Sequence, residues 1–185
     1  MTTAAVVLAA GAGSRFDAGT HKLLTPFRDR PLWRWAVDAA RAAALDDVLV
    51  VTGAVDLGPL PPEVIEVHHD GWASGQAGSL RAGVATAERR GHDAVVVGLA
   101  DSPLVPPSAW RAVAASTTTP IAVADFEGAL RPPVRLAAAV WALLPAEGDQ
   151  GARALIAARP DLVTAVPCTG EAADIDTVED LEAWS

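Results

Sequence analysis

Two glycines and two cations follow a short apolar run near the start of the chain: Gly11-Ala12-Gly13-Ser14-Arg15, with Lys22 seven residues later. Glycine lets a backbone approach a phosphate closely, and successive N–H groups can form an anion-binding concavity. Arg15 and Lys22 would add positive charge to that loop. On the glycines alone, an ordinary strand-to-helix turn with two solvated cations fits equally well. A second group is acidic. Asp101 directly follows the apolar segment Val95–Ala100, which sets a carboxylate at the mouth of a buried sheet. Beside a triphosphate such a carboxylate is repulsive unless a divalent cation bridges the two; otherwise it is a capping or solvated aspartate. Asp174-Ile175-Asp176-Thr177, with Glu179 and Asp180 close behind, gathers acids just before a C-terminal helix. Helix capping by Asp176 or Thr177 and metal ligation are both open for this run.

Two common phosphate loops are excluded. A dinucleotide fingerprint needs a third small residue where Phe16 stands, and an acid after the second strand where Thr52-Gly53 stands. A Walker loop needs Lys followed by Ser or Thr, whereas Lys22 lies between His21 and Leu23. His68 and His69 end a strand without spaced partner ligands and read as structural. The tryptophans are scattered, so core packing is the default, with Trp72 the best placed to line a cleft. Cys168 is the only cysteine, which rules out an internal disulfide and a cysteine-based metal site; its position at a strand end reads as packing.

The elements that must position these groups are legible as alternating patterns. Ala4–Ala9, Val48–Thr52, Val64–His68 and Asp93–Leu99 are short apolar runs of buried strand type, and Ile121–Ala124 and Pro133–Leu136 are later strands. Leu32, Trp35, Ala36, Ala39 and Ala43 recur with helical spacing after Pro31. Further helices are expected over Leu80–Arg90, from Pro106-Pro107 to Ala115, and near Ala137–Leu144. Apolar strands alternating with amphipathic helices imply an α/β fold, with a mainly parallel sheet covered by helices on both faces. Ligands of such sheets bind at the carboxyl ends of the strands. The loops after Ala9 and Leu99 should therefore share one site.

Composition limits the partners. The 185 residues suit a single domain spanning 1–185. The formal net charge of −9 argues against nucleic acid as the main partner. No apolar stretch approaches the ~20 residues of a membrane span and no basic leader precedes the first strand, so a cytoplasmic location is expected.

Five blocks in this order carry a resemblance: Leu8–Arg15 with Lys22, Gly75–Gly83, Leu99–Leu104, Gly148–Arg153 and Asp174–Leu181. Together the chain resembles the molybdenum cofactor nucleotidyltransferases, which share a Leu-Ala-Ala-Gly-x-Gly-x-Arg…Lys signature with wider nucleotidyltransferases of Rossmann-like fold. The resemblance implies that Leu8, Ala9, Ala10, Gly11, Ala12, Gly13, Ser14 and Arg15 wrap a triphosphate together with Lys22. It implies that Gly78 and Ser79 help hold the base and ribose, that Asp101 and Asp176 hold Mg²⁺, and that Asp149 and Arg153 lie near the acceptor. Arg15, Lys22 and Asp101 would be the catalytic groups.

Within that family Leu-Ala-Ala-Gly leans toward cytidine, so Ala10 favours CTP. The implied reaction is transfer of CMP to molybdopterin with loss of pyrophosphate, the product passing to a molybdoenzyme or its chaperone. Where the family shows Gly-x-Pro-Val near the acceptor, this chain has Arg131-Pro132-Pro133-Val134, a departure that bears on the acceptor. Two other readings are a cytidylyltransferase for a small sugar or polyol phosphate, and a non-catalytic nucleotide-binding regulator or cofactor chaperone. Lys22, read as an exposed loop residue, is expected to matter for turnover and hardly for stability.

Overall fold

The computed structural model describes residues 1–13, 16 and 19–184. In chain order the elements are β1 (Thr3–Ala9), β2 (Pro26–Phe27), β3 (Arg30–Pro31), α1 (Leu32–Ala42), β4 (Asp47–Thr52), β5 (Val64–His68), α2 (Gln76–Arg89) and β6 (Ala94–Leu99). They continue with α3 (Pro107–Ala115), β7 (Ile121–Phe126), β8 (Ala129–Ala137), α4 (Ala152–Ala158), β9 (Val163–Pro167) and α5 (Val178–Trp184). No helix among the described residues is long and apolar enough to cross a membrane.

One seven-stranded sheet runs in the order β5-β4-β1-β6-β8-β7-β9. The β5, β4, β1 and β6 strands are mutually parallel, as are β7 and β9, while β8 is antiparallel to both its neighbours. Every residue of β1 is buried, as its unbroken Val/Leu/Ala composition requires of a central strand covered on both faces. Its alternate side chains feed two cores. Ala5, Val7 and Ala9 meet α1 and α3 on one face, through residues such as Val37 and Val113. Val6 and Leu8 meet α2 and α4 on the other, through residues such as Leu80, Val84 and Leu155. The α/β architecture expected from the sequence is thus the one observed.

Local departures have local causes. The helix expected near 137–144 is a tighter 3-10 helix over Ala138–Leu143, where the Trp141 indole N–H donates back to the Leu136 carbonyl at 3.1 Å. β9 and α4 were not foreseen, because β9 is a half-exposed edge strand and α4 has only seven residues. β7 and β8 form a hairpin longer than the apolar runs indicate. Its two-residue turn, Glu127-Gly128, has φ of 53° and 90°, the left-handed pairing that matches strand twist. Near the top of the hairpin the register shifts between Val123 and Ala124, which pair with Val134 and Arg131. Pro132 and Pro133 lie in the bulged segment between, where the missing N–H groups cost no ladder bonds.

Candidate active site

The glycine loop leaves β1 at the carboxyl edge of the sheet and borders a cavity of about 520 Å³. Leu8, Ala9, Ala10, Gly11, Ala12 and Gly13 form one wall. Gly13 has φ +62°, and a Cβ there would lie 3.1 Å from the Lys22 Cβ, so both backbone shape and the adjacent lysine call for glycine. Ser14 and Arg15 lie outside the described residues.

His21 ties this loop to the segment carrying Lys22. Its Nδ1 accepts the Leu23 N–H at 3.2 Å, capping the 3-10 turn Lys22–Leu24. The neutral ring must then carry its proton on Nε2, which lies 3.0 Å from the Gly11 carbonyl and donates to it; this tautomer is assigned from the two partners. Burial lowers the His21 pKa from the ordinary imidazole value; the Gly11 contact opposes this and the Lys22 charge adds to it.

Lys22 is not the solvated loop residue expected from sequence. It is 8% exposed, and its Nζ donates to Asp101 Oδ2 at 2.6 Å and to Asp176 Oδ1 at 3.0 Å. Burial by itself would lower the ammonium pKa; the Asp101 and Asp176 carboxylates outweigh it, so the value is raised. The two acids, far apart in sequence, are brought together by backbone and side-chain bonds. The Ile175 N–H donates to the Asp101 carbonyl at 2.9 Å, and the Ser102 hydroxyl donates to Asp174 Oδ1 at 2.5 Å. Ile175 is completely buried beneath this junction.

The acid-rich run divides its labour. Thr177 Oγ1 accepts the Asp180 N–H at 3.1 Å, while Asp180 Oδ2 accepts the Asp176 and Thr177 N–H groups at 3.0 and 2.9 Å. That reciprocal cap opens α5 and leaves the Asp176 carboxylate on Lys22. Asp174, held by Ser102, is displaced from Lys22; burial raises its carboxyl pKa, the Ser102 hydrogen bond opposing that.

The opposite wall comes from the start of α2. Gln76 and Ser79, three residues apart on one helix face, line the cavity with Trp72, Ala73 and Gly75. Gly78 does not line it. A Cβ there would point at the His69 ring and Ser74 hydroxyl, 2.9 Å from each, because Gly78 is out of phase with Gln76 and Ser79 on the helix. Gly75 has φ +105°, and a Cβ on it would sit 2.6 Å from the Gly148 backbone and 2.7 Å from Asp149 Oδ1. The Ala77 N–H donates to the Gly148 carbonyl at 2.9 Å. The 148–151 loop is therefore docked onto the N-terminus of α2, which brings Asp149 to the cavity.

A second cavity of about 420 Å³ adjoins the first. Both are bordered by Leu8, Gln76, Leu99, Asp101, Asp149 and Asp176. Arg153 borders the second, as do Asp174 and Arg131. The acids on Lys22 thus stand where a ligand in one cavity meets a ligand in the other.

The sequence profile of the MobA-like NTP transferase domain matches residues 5–163. The chain belongs to the MobA-like NTP transferase family. Among relatives, nicotine blue oxidoreductase of Paenarthrobacter nicotinovorans is 32% identical, covering 95% of this chain and 93% of its own length. Purine catabolism protein PucB of Bacillus subtilis is 31% identical, over 96% and 93% respectively. The crystal structure of Rv0371c from Mycobacterium tuberculosis superposes with a TM-score of 0.80 at 29% identity, covering 99% of this chain and 97% of that one. A structure of the same protein complexed with manganese gives 0.78 at 26% identity, covering 100% and 98%. The fold and the family expected from the five sequence blocks are therefore those of a MobA-like nucleotidyltransferase.

The site includes residues that sequence reasoning passed over. His21 is adjacent to Lys22, and a histidine beside a candidate phosphate lysine was the available signal. Gln76 lay within a recognised block, three residues before Ser79. Arg131 was noticed only as a departure from a pattern. Ser102 had no signal of its own, since its role depends on an acid far along the chain.

Proposed function

We propose that this chain transfers CMP from CTP to the phosphate of molybdopterin, releasing pyrophosphate. The observation that carries the reading is the Lys22 ammonium held by Asp101 and Asp176 beside the glycine loop, on the boundary between two cavities. An acceptor phosphate oxygen attacks the α-phosphorus of CTP, and the bond from that phosphorus to the β-phosphate bridging oxygen breaks. The loop 8–13 cradles the phosphates through its N–H groups, and Lys22, with Arg15 as the family resemblance implies, offsets the charge gathering on the leaving pyrophosphate. Positioning and charge neutralisation supply the catalysis, with no covalent enzyme intermediate.

Asp101 and Asp176 suit Mg²⁺. Both offer oxygen, and both converge on one cationic group. Mg²⁺ is commonly held by one or two carboxylates, with substrate phosphates and water completing the shell. When bound, it would neutralise charge on the α-phosphate and the leaving group. The manganese complex of Rv0371c supports divalent-metal use here.

Ala10 supports CTP through the Leu-Ala-Ala-Gly form of the loop, and it lines the first cavity with Trp72; a pocket shaped to cytosine would leave the larger guanine unpaired or clashing. The second cavity supports the acceptor, with Arg131 and Arg153 to meet a phosphate beside an apolar wall of Leu80, Val123 and Ile156. Asp149 borders the same cavity.

The test is incubation with each nucleoside triphosphate, Mg²⁺ and molybdopterin, with pyrophosphate release followed and the product weighed by mass spectrometry. The cytosine dinucleotide is the expected product, and Asp101→Asn should abolish it, with some loss of melting temperature because one of the two carboxylates holding the buried Lys22 ammonium is removed. Equal or better use of GTP would remove the cytidine assignment. Turnover only with a sugar or polyol phosphate would move the acceptor, and no pyrophosphate from any pair would leave a binding protein. A parallel arm without triphosphate follows reduction of an added dye, since one relative is named an oxidoreductase. Hydride transfer has no evident use for two carboxylates sharing one ammonium.

A further inference from the structure

We propose that Lys22 is a built-in occupant of the divalent-cation position: without nucleotide its ammonium neutralises Asp101 and Asp176, and a metal is held there only after a triphosphate draws the lysine away. The inference rests on the reading of Asp101 and Asp176 as metal carboxylates, but it concerns the order of events in the empty enzyme.

The argument is one of charge and space. Lys22 Nζ lies 2.6 Å from one Asp101 oxygen and 3.0 Å from one Asp176 oxygen. A Mg²⁺ ion bound by the same oxygens would sit about 2.0–2.1 Å from them, so ammonium and metal compete for one small volume. The three side chains together carry a single negative charge; with a neutral residue at 22 they would carry two. The lysine side chain is 9% exposed, so water does little to screen it from a metal placed beside it.

Its Cβ is anchored against Gly13, at the end of the loop that borders the nucleotide cavity. Triphosphate oxygens entering that cavity offer the ammonium a second anionic partner. When it moves to them, Asp101 and Asp176 lose the ammonium they share, and an incoming cation can take its place. Metal and nucleotide then bind with mutual enhancement, and metal alone binds weakly. Such a coupling keeps the site from being filled when there is nothing to transfer.

The experiment uses Mn²⁺ as the probe, with no nucleotide and no acceptor. Free Mn²⁺ is measured by electron paramagnetic resonance during titration of wild type, Lys22→Met and Lys22→Arg. Lys22→Met should bind one Mn²⁺ at least ~10-fold more tightly than wild type, as loss of an adjacent positive charge predicts. Lys22→Arg should resemble wild type. Adding Asp101→Asn to Lys22→Met should erase the gain. Mn²⁺ should also raise the melting temperature of Lys22→Met more than that of wild type, because a ligand stabilises the form that binds it. If Lys22→Met does not fold, Lys22→Gln removes the charge while keeping a hydrogen-bonding group. Equal Mn²⁺ affinity in wild type and a folded uncharged variant overturns the proposal, as does a gain that survives Asp101→Asn. The titration uses neither CTP nor molybdopterin, so a negative transferase assay with a positive Mn²⁺ gain would reject the proposed reaction and leave this inference standing.

Discussion

Lys22 serves stability and chemistry through the same two bonds. Replacing it by alanine leaves Asp101 and Asp176 facing one another without their shared ammonium. Removing one member of a buried ion pair can cost ~3–5 kcal/mol; both acids here are partly solvated, and about 1–3 kcal/mol is the better expectation. Lys22→Ala should therefore melt several degrees below wild type in metal-free buffer, besides losing roughly 10²-fold in kcat/KM for the triphosphate. Calorimetry and steady-state kinetics on one preparation check both, and an unchanged melting temperature would return Lys22 to the solvated role. His21 yields a pH prediction. Its folded pKa lies below the ordinary 6.5, so the unfolded chain takes up the proton first as pH falls. Its contribution to stability is complete above about pH 6.5 and is lost as pH drops toward the folded value. His21→Asn cannot titrate, so the extra loss of melting temperature that wild type shows between about pH 7 and 5 should shrink in the variant. Parallel curves for the two proteins would exclude the role.

At the scale of elements, the site depends on loops that hold one another. Gly75 opens α2 at φ +105° with the Gly148 backbone where a Cβ would go. Gly75→Ala must therefore strain its own backbone and push the 148–151 loop away, at about 1–3 kcal/mol. Asp149 should then move from the boundary between the cavities. The expected result is a KM for the acceptor raised more than the KM for the triphosphate; equal effects on both would mean general loosening of the fold. What could be read in the sequence follows the same division. β1, β4 and β6 were legible because a central strand covered on both faces must be apolar throughout, and each is closed by a residue unlike those before it. The glycine loop, Lys22 and Asp101 followed from those strands. The burial of Lys22 was not legible, because it arises from Asp176, which reaches the site through the Ile175 bond to the Asp101 carbonyl. Nor was β9, whose alternation is weak over a half-exposed edge. Gly78 is expected among the nucleotide-binding residues because it lies in a recognised block, whereas helix phase turns it toward His69 and Ser74.

Across the whole molecule, an acidic protein of net charge −9 manages an anionic substrate by concentrating a few cations and backbone donors at one sheet edge. The fold makes that edge serve two ligands. β1 and β6 are adjacent and parallel, so their following loops stand side by side, and the hairpin of β7 and β8 adds Arg131 beyond them. Because the cavities share a border, a compound that covalently joins a nucleotide to a pterin engages both at once, and its second half binds from an effective concentration in the millimolar range. Such a tethered compound should bind roughly 10²–10⁴-fold more tightly than either half, as titration calorimetry can measure. In the proposed reaction the product is itself such a compound once pyrophosphate has gone. If that reaction holds, the enzyme should grip its own product by avidity, and its throughput should then be governed by how quickly that product is taken away.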